Sequence, residues 1–352
     1  MQTQTRYRLL VVRLGAMGDI LHALPAVTAL RLAHPHWIID WVVDPRWRPL
    51  FAAPGAEGFG PQQPLVDHLY FAQTKKWNKR ALSRATAKEI WALRHELRLP
   101  SYGTVLDLQG AIRSSVIARL SGCPRRIGSN TPWERPARHF YTDRVITTAE
   151  HVIEQNYEIA TAVAADELEH TLPLLPVDPV SEQWCTELLG DDAAPVVLIN
   201  PGAGWGGKRW PAERYAQVSK ELTRRGCRVF VNAGPGEAEL AAPILAEGGA
   251  QLLEITLDQL IAFTRRTALM IAGDTGPLHL ACAFNRPVVG IYGPTDPSRN
   301  GPYGTAFRVL RSPESRRNHR RTAEPEAGLL TITPEAVLAA ADELLDSPEV
   351  TQ

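Results

Sequence analysis

The apolar run Ala268 to Ala272 has the length of a buried strand, and it leads directly into Gly273-Asp274-Thr275-Gly276-Pro277, from which Leu278 to Phe284 reads as a helix. A second apolar run, Arg286 to Ile291, then stops at Gly293-Pro294-Thr295-Asp296-Pro297. Strand, tight turn, helix and strand in that order constrain the chain to a parallel sheet wrapped by helices. The turn puts Thr275 and Gly276 at a helix N-terminus, where unpaired backbone N–H groups and a partial positive charge hold an anion without a basic side chain. His279 lies on the first turn, facing the same way. In parallel α/β sheets ligands bind in the crevice beyond such strand ends.

The same alternation runs through the chain. Tyr7 to Val12 reads as a buried strand, Arg13 to Gly18 as a loop with two glycines, and Asp19 opens a helix whose apolar face is Ile20, Leu21, Leu24, Val27, Leu30 and Leu32. Strands follow at Trp37–Val43 and Val66–Phe71. Lys75, Lys76, Lys79 and Arg80 then cluster around Trp77 in what reads as a solvated loop. Helix Ala85–Leu99 turns Ile90, Leu93 and Leu97 toward a core rather than a membrane. After strand Thr104–Leu108 comes helix Ala111–Leu120 with Arg113 near its start. A proline-broken loop carrying Arg125, Arg126, Arg135 and Arg138 precedes a connecting helix, Glu150–Ala165.

Prolines recur from Asp166 to Val180, where helix propensity drops, and the domain boundary is placed there. The divisions are a first domain over 1–166, a linker over 167–180, a second domain over 181–333, and a closing helix and tail over 334–352. The second domain repeats the pattern: strand Pro195–Ile199, helix Pro211–Arg225 ended by Gly226, strand Cys227–Val231, then Leu252–Ile255 and helix Leu257–Arg266. Ser312 to Gly328 is polar and arginine-rich with no apolar period, and reads as a surface loop.

A length of 352 residues favours two domains, and 44% hydrophobic with 22% charged residues is ordinary for a globular chain. Met1 to Thr5 is polar and Arg13 interrupts the first apolar run, so neither a signal-peptide core nor a membrane span is indicated and a cytoplasmic location is expected. Cys123, Cys185, Cys227 and Cys282 stand singly and read as small core residues. The net charge is zero, yet residues 1–150 hold 21 Lys and Arg against 11 Asp and Glu, the remainder 17 against 27. The first half is expected to meet an anionic partner. Basic residues scattered over loops of an α/β domain argue against nucleic acid.

Gly202 to Lys208 satisfies G-x-G-x-x-G, but the next strand ends on Asn232 instead of the acid that holds a ribose in dinucleotide sites. It also satisfies G-x-x-x-x-G-K, but Arg209 replaces the hydroxyl residue of a P-loop. Both motifs share one physical basis: glycines let backbone N–H groups approach an anion, and Lys208 adds a mobile charge. Glu237, after the next strand, reads by itself as a helix-capping acid. No D-x-D, H-E-x-x-H or other metal-ligand spacing occurs, so neither metal nor cofactor is expected.

The D-T-G-x-x-H of Asp274 to His279, followed by V-x-x-Y-G-P-T-D-P, resembles the donor-site signature of glycosyltransferase family 9, the ADP-heptose:lipopolysaccharide heptosyltransferases. The resemblance extends to Arg13–Pro25 and Pro201–Tyr215. It implies the glycosyltransferase B arrangement, two Rossmann-like domains facing across a cleft. It implies a donor site of Lys208 on the diphosphate, Glu237 on the ribose, and Asp274, Thr275, Gly276 and His279. It implies an acceptor site in the basic half that includes Arg113, and the basic cluster Lys75, Lys76, Lys79 and Arg80 is assigned to it. Gly18-Asp19 matches the family's G-D and marks Asp19 as the general base of an inverting transfer, where position alone makes it a helix cap. Ala203 and Gly204 depart from members with hydroxyl residues there.

The expected function is heptose transfer from ADP-heptose to an anionic lipopolysaccharide inner-core acceptor of the Kdo-lipid A type, with peripheral contact at the inner membrane surface. A nucleotide-sugar epimerase of the same architecture and a non-catalytic nucleotide-sugar-binding protein are the alternatives.

Overall fold

The computed structural model describes residues 6–234, 236–318 and 321–346. Met1 to Thr5 and the tail beyond residue 346 lie outside them. The chain divides into two compact units, Met1–Val177 and Asp178–Gln352.

The first unit runs β1 (Arg8–Val12), α1 (Met17–Ala33), β2 (Ile38–Val43), β3 (His68–Phe71), α2 (Thr74–Lys79), α3 (Arg84–Arg98), β4 (Thr104–Asp107), α4 (Ile112–Leu120), β5 (Arg126–Ser129), β6 (Asp143–Val145) and α5 (Val152–Ala164). Its six strands form one parallel sheet in the order β3-β2-β1-β4-β5-β6. Leu9 to Val12 are fully buried because β1 is covered on both faces, which is why it reads as an unbroken apolar run. Around α1 the expected apolar residues are buried, except Leu32, which is exposed near the helix end. The segment after α5 stays with this unit: the amides of Thr171, Leu174 and Val177 donate to Tyr157 Oη (3.0 Å), Thr28 Oγ1 (3.1 Å) and Pro61 O (3.1 Å).

Two readings of this unit are corrected. Lys75 to Lys79 is a helix, not a loop, because Trp77 is buried and donates to Glu89 of α3 at 2.7 Å. The proline-broken arginine segment contains β5 and β6, which carry few apolar residues because they lie at the end of the sheet.

The second unit runs α6 (Pro179–Leu189), β7 (Val196–Asn200), α7 (Ala212–Arg224), β8 (Arg228–Asn232), α8 (Ala238–Ala246), β9 (Ala250–Leu253), α9 (Leu257–Thr264), β10 (Leu269–Gly273), α10 (Gly276–Ala283), β11 (Val288–Tyr292), α11 (Pro297–Asn300), β12 (Phe307–Arg311) and α12 (Pro334–Leu345). Its parallel sheet has the order β12-β11-β10-β7-β8-β9. Helix α12 packs Val337, Ala340, Ala341 and Leu344 into the same core as α7 and the sheet. All four cysteines are free and buried.

In each sheet the chain order reverses between two neighbouring central strands, β1 and β4 in the first, β7 and β10 in the second. The loops leaving those strands diverge to opposite faces and open a crevice at the carboxyl edge. Among the described residues no helix is long and apolar enough to cross a membrane.

Candidate functional site

In the second unit the reversal brings together the loops after β7 and β10. Thr275 is the extended N-cap residue of α10, and Pro277 follows in its first turn. The side chain of Asp274, just before it, is only 9% exposed; its carboxylate accepts the Lys208 ammonium and faces His279 Nε2 at 3.2 Å. Lys208 Nζ also lies 3.4 Å from the Asp274 carbonyl and 4.4 Å from the centre of the Trp205 ring. Burial alone would push the Asp274 carboxyl upward, but the His279 hydrogen bond and the Lys208 charge outweigh it and hold it well below the usual carboxylate range. The pair therefore fixes a cation beside the N-terminus of α10. Among the described residues Thr275 Oγ1 is buried there without a protein partner, a state that ligand or water contact resolves.

Two asparagines shape the glycine loop. Asn232 Nδ2 donates to Asn200 Oδ1 at 2.7 Å, and Asn200 Nδ2 to Gly202 O at 3.1 Å. Glu237 stands over Gly202, where a Cβ would come within 2.3 Å of both its carboxylate oxygens. Glu237 is the N-cap residue of α8, yet its carboxylate makes no bond to that helix; it accepts from Gly234 N at 3.0 Å. The capping expectation holds for its position and fails for its chemistry, and the carboxylate faces the glycine loop.

Among its described residues Ser312 to Gly328 is a largely exposed loop, as read, but it is tied into the site. Gly207 N donates to Thr322 O and Glu326 N to Gly207 O, both at 3.2 Å, so this segment clamps the turn that carries Lys208. Arg317 pairs with Asp296, and Asn318 N donates to Pro294 O at 3.0 Å, tying it to the loop after β11 as well. The one signal was Gly206-Gly207: a Cβ on Gly206 would collide with the Ala323 carbonyl. His319 and Arg320 lie outside the described residues.

In the first unit Asp19 is the third residue of α1, a first-turn acid and not the N-cap, which is Ala16. Its carboxylate accepts from Ala16 N at 3.0 Å and pairs with Arg13 Nη2 at 3.1 Å. Arg13 is buried and donates through Nη1 to Leu108 O at 2.5 Å. Gln109 Oε1 accepts from Leu14 N at 2.8 Å, so the β1 and β4 loops are latched together. Gly15 has a φ of +144°, and a Cβ there would lie 2.6 Å from Trp47 Nε1. Below them, buried Asp107 gathers Tyr141 Oη, Ser114 Oγ and the Gln109 and Gly110 amides, shaping the turn before α4.

The expected acceptor residues follow strand ends of this same sheet edge. Lys75 lies close enough to Asp44 for its charge to count: burial raises the Asp44 carboxyl, but bonds from Arg46 with the charges of Arg46 and Lys75 bring it below its usual value. Lys76 is engaged with Glu89 at 2.9 Å. Lys79 and Arg80 are exposed at the far end of α2, and Arg113 is exposed on the first turn of α4. Among the described residues no three His, Cys, Asp or Glu side chains gather as metal ligands do.

Comparison with known proteins matches residues 90–329 to the model of glycosyltransferase family 9 (heptosyltransferase). Lipopolysaccharide heptosyltransferase 1 of Escherichia coli K12 is 30% identical over 316 residues, covering 87% of this chain and 94% of that protein. The structure of the E. coli heptosyltransferase WaaC with ADP superposes with a TM-score of 0.78 at 26% identity, over 96% of this chain and 99% of that one. The same enzyme with ADP-2-deoxy-2-fluoro heptose gives 0.76 at the same identity and coverage.

Proposed function

The chain belongs to glycosyltransferase family 9, the heptosyltransferases, and on that premise we propose that it moves a heptose from ADP-heptose onto the inner core of lipopolysaccharide, with inversion at the anomeric carbon. The observation that carries the donor assignment is the Lys208–Asp274–His279 cluster at the N-terminus of α10, beside the glycine loop and the unpartnered Thr275 hydroxyl.

Each group has a role that its chemistry suits. Lys208 and the first amides of α10 meet the diphosphate and the charge that develops on ADP as it leaves. Asp274 holds Lys208 in place, and His279 holds Asp274. Glu237 keeps one oxygen on Gly234 N and has the other for ribose hydroxyls. Asp19 takes the proton from the attacking acceptor hydroxyl, oriented by Ala16 N and Arg13. One carboxylate suffices, because ADP leaves with less protonation help than the sugar alcohol expelled by a glycosidase. The exposed bases Lys75, Lys79, Arg80 and Arg113 face an acceptor rich in carboxylates and phosphates.

The test is incubation with ADP-heptose, with and without Kdo-lipid A. ADP release and a heptosylated product of opposite anomeric configuration are expected only with the acceptor. Alteration of ADP-heptose alone would mark an isomerase, and retention without turnover a binding protein; either result overturns the proposal.

Two further results are expected. Turnover persists in excess EDTA, since Lys208 and the helix N-terminus supply the charge a metal would; loss restored by magnesium contradicts this. Lys75→Glu with Lys79→Glu raises the acceptor KM by about tenfold or more, in a salt-dependent way, and changes the donor KM less than about twofold. Equal effects on both substrates would remove this cluster from the acceptor site.

A further inference from the structure

We propose that the outward face of α3 docks the first unit onto an anionic phospholipid bilayer. The proposal deepens the reading of this chain as an enzyme of a lipid-anchored acceptor and rests on that reading for its purpose, though its geometry stands alone. At 3.6 residues per turn, Arg84, Lys88, Trp91, His95 and Arg98 fall on one stripe along α3. Thr86, Ile90, Leu93 and Leu97 lie on the opposite side and turn into the core. The helix has therefore satisfied its need for apolar burial without Trp91, which is 62% exposed.

Trp91 stacks on His95, ring centroids 5.7 Å apart, in the middle of the stripe. Leu82 before the helix and Leu99 after it are exposed, so apolar groups stand at both ends of a row of cations. From Thr74 to Leu99 there are eight Lys and Arg against two Glu. Neither acid lies on the stripe, and Glu89 is already engaged by Lys76 and Trp77. Among the described residues Arg84 and Lys88 have no ion-pair partner.

A surface that meets this face must be anionic at one depth and apolar just beneath it. A bilayer of acidic phospholipids has that layering: Lys and Arg stems extend their charges to the headgroups, while an indole rests at the boundary between headgroups and acyl chains. Charge alone would not call for the tryptophan and the two leucines.

The experiment is co-sedimentation of the full chain with vesicles of equimolar phosphatidylglycerol and phosphatidylcholine, against vesicles of phosphatidylcholine alone. Binding to the mixed vesicles that weakens with salt is expected, with little to the neutral ones. Arg84→Glu combined with Lys88→Glu, and separately Trp91→Ala, should each lower it by at least about tenfold, with thermal melting and calorimetric ADP binding unchanged. Wild-type vesicle binding in either variant, or equal capture by both vesicle types, overturns the proposal. The vesicles hold no sugar lipid, so a protein that transfers heptose but ignores them keeps its proposed function and loses this surface. A protein that binds them but transfers nothing does the reverse.

Discussion

Asp19→Asn should lower kcat by about 10²–10⁴ while folding and ADP-heptose binding are retained. The carboxylate has two structural contacts, and the substitution separates them from chemistry. An asparagine carbonyl still accepts from Ala16 N, so the start of α1 stays satisfied. The ion pair with Arg13 is lost, but the Asp19 side chain is 44% exposed, so that pair contributes about 1 kcal/mol or less. Arg13 also keeps its bond to Leu108 O. What the amide cannot do is take a proton from the attacking hydroxyl. Single-turnover transfer measured beside a thermal melt distinguishes the roles. A wild-type kcat would exclude Asp19 as the base and return it to its role in the first turn of a helix.

Lys208→Met should have the second largest effect, on both donor use and stability. One charge-assisted contact to a diphosphate is worth about 1.5–3 kcal/mol, so kcat/KM for the donor falls by about 10–100-fold. Removing the ammonium also leaves Asp274 buried with His279 alone, and breaking a buried pair from one side costs about 3–5 kcal/mol. The pH dependence has a definite sign. Because the folded Asp274 carboxyl lies below its unfolded value, the stability it contributes is present above about pH 4 and is lost as pH falls toward the folded value. Without Lys208 the folded value rises, so the pH-dependent contribution of Asp274 becomes smaller and its loss on acidification is complete at a higher pH. Lys208→Met with Asp274→Asn should recover most of the unfolding free energy and none of the donor kinetics. Unchanged donor kinetics in Lys208→Met would remove this lysine from the site.

Part of each prediction rests on local features legible in the sequence. Gly273 to Pro277 announces a strand end and a helix start because glycine and proline each restrict what the backbone does next, whatever lies elsewhere in the chain. The start of the closing helix at Pro334 was readable for the same reason, from its proline. Such signals act over one or two turns.

The tertiary structure decided what depends on residues far apart in sequence. That Lys208 meets Asp274, 66 positions away, follows from β7 and β10 being neighbours at the point where strand order reverses, and no spacing along the chain encodes that adjacency. The helix at Lys75 to Lys79 was hidden because it is held from outside itself, by Trp77 reaching Glu89. Strands β5 and β6 carry few apolar residues, and the backbone ladder of their neighbours makes them strands. Ser312 to Gly328 lacks an apolar period because its contacts with Gly207 and Pro294 are backbone hydrogen bonds, which any residue except proline can donate and every residue can accept. Side-chain patterning records which faces are buried, whereas pairing between backbones leaves almost no mark on residue identity, and that half of the site became visible only when the chain was folded.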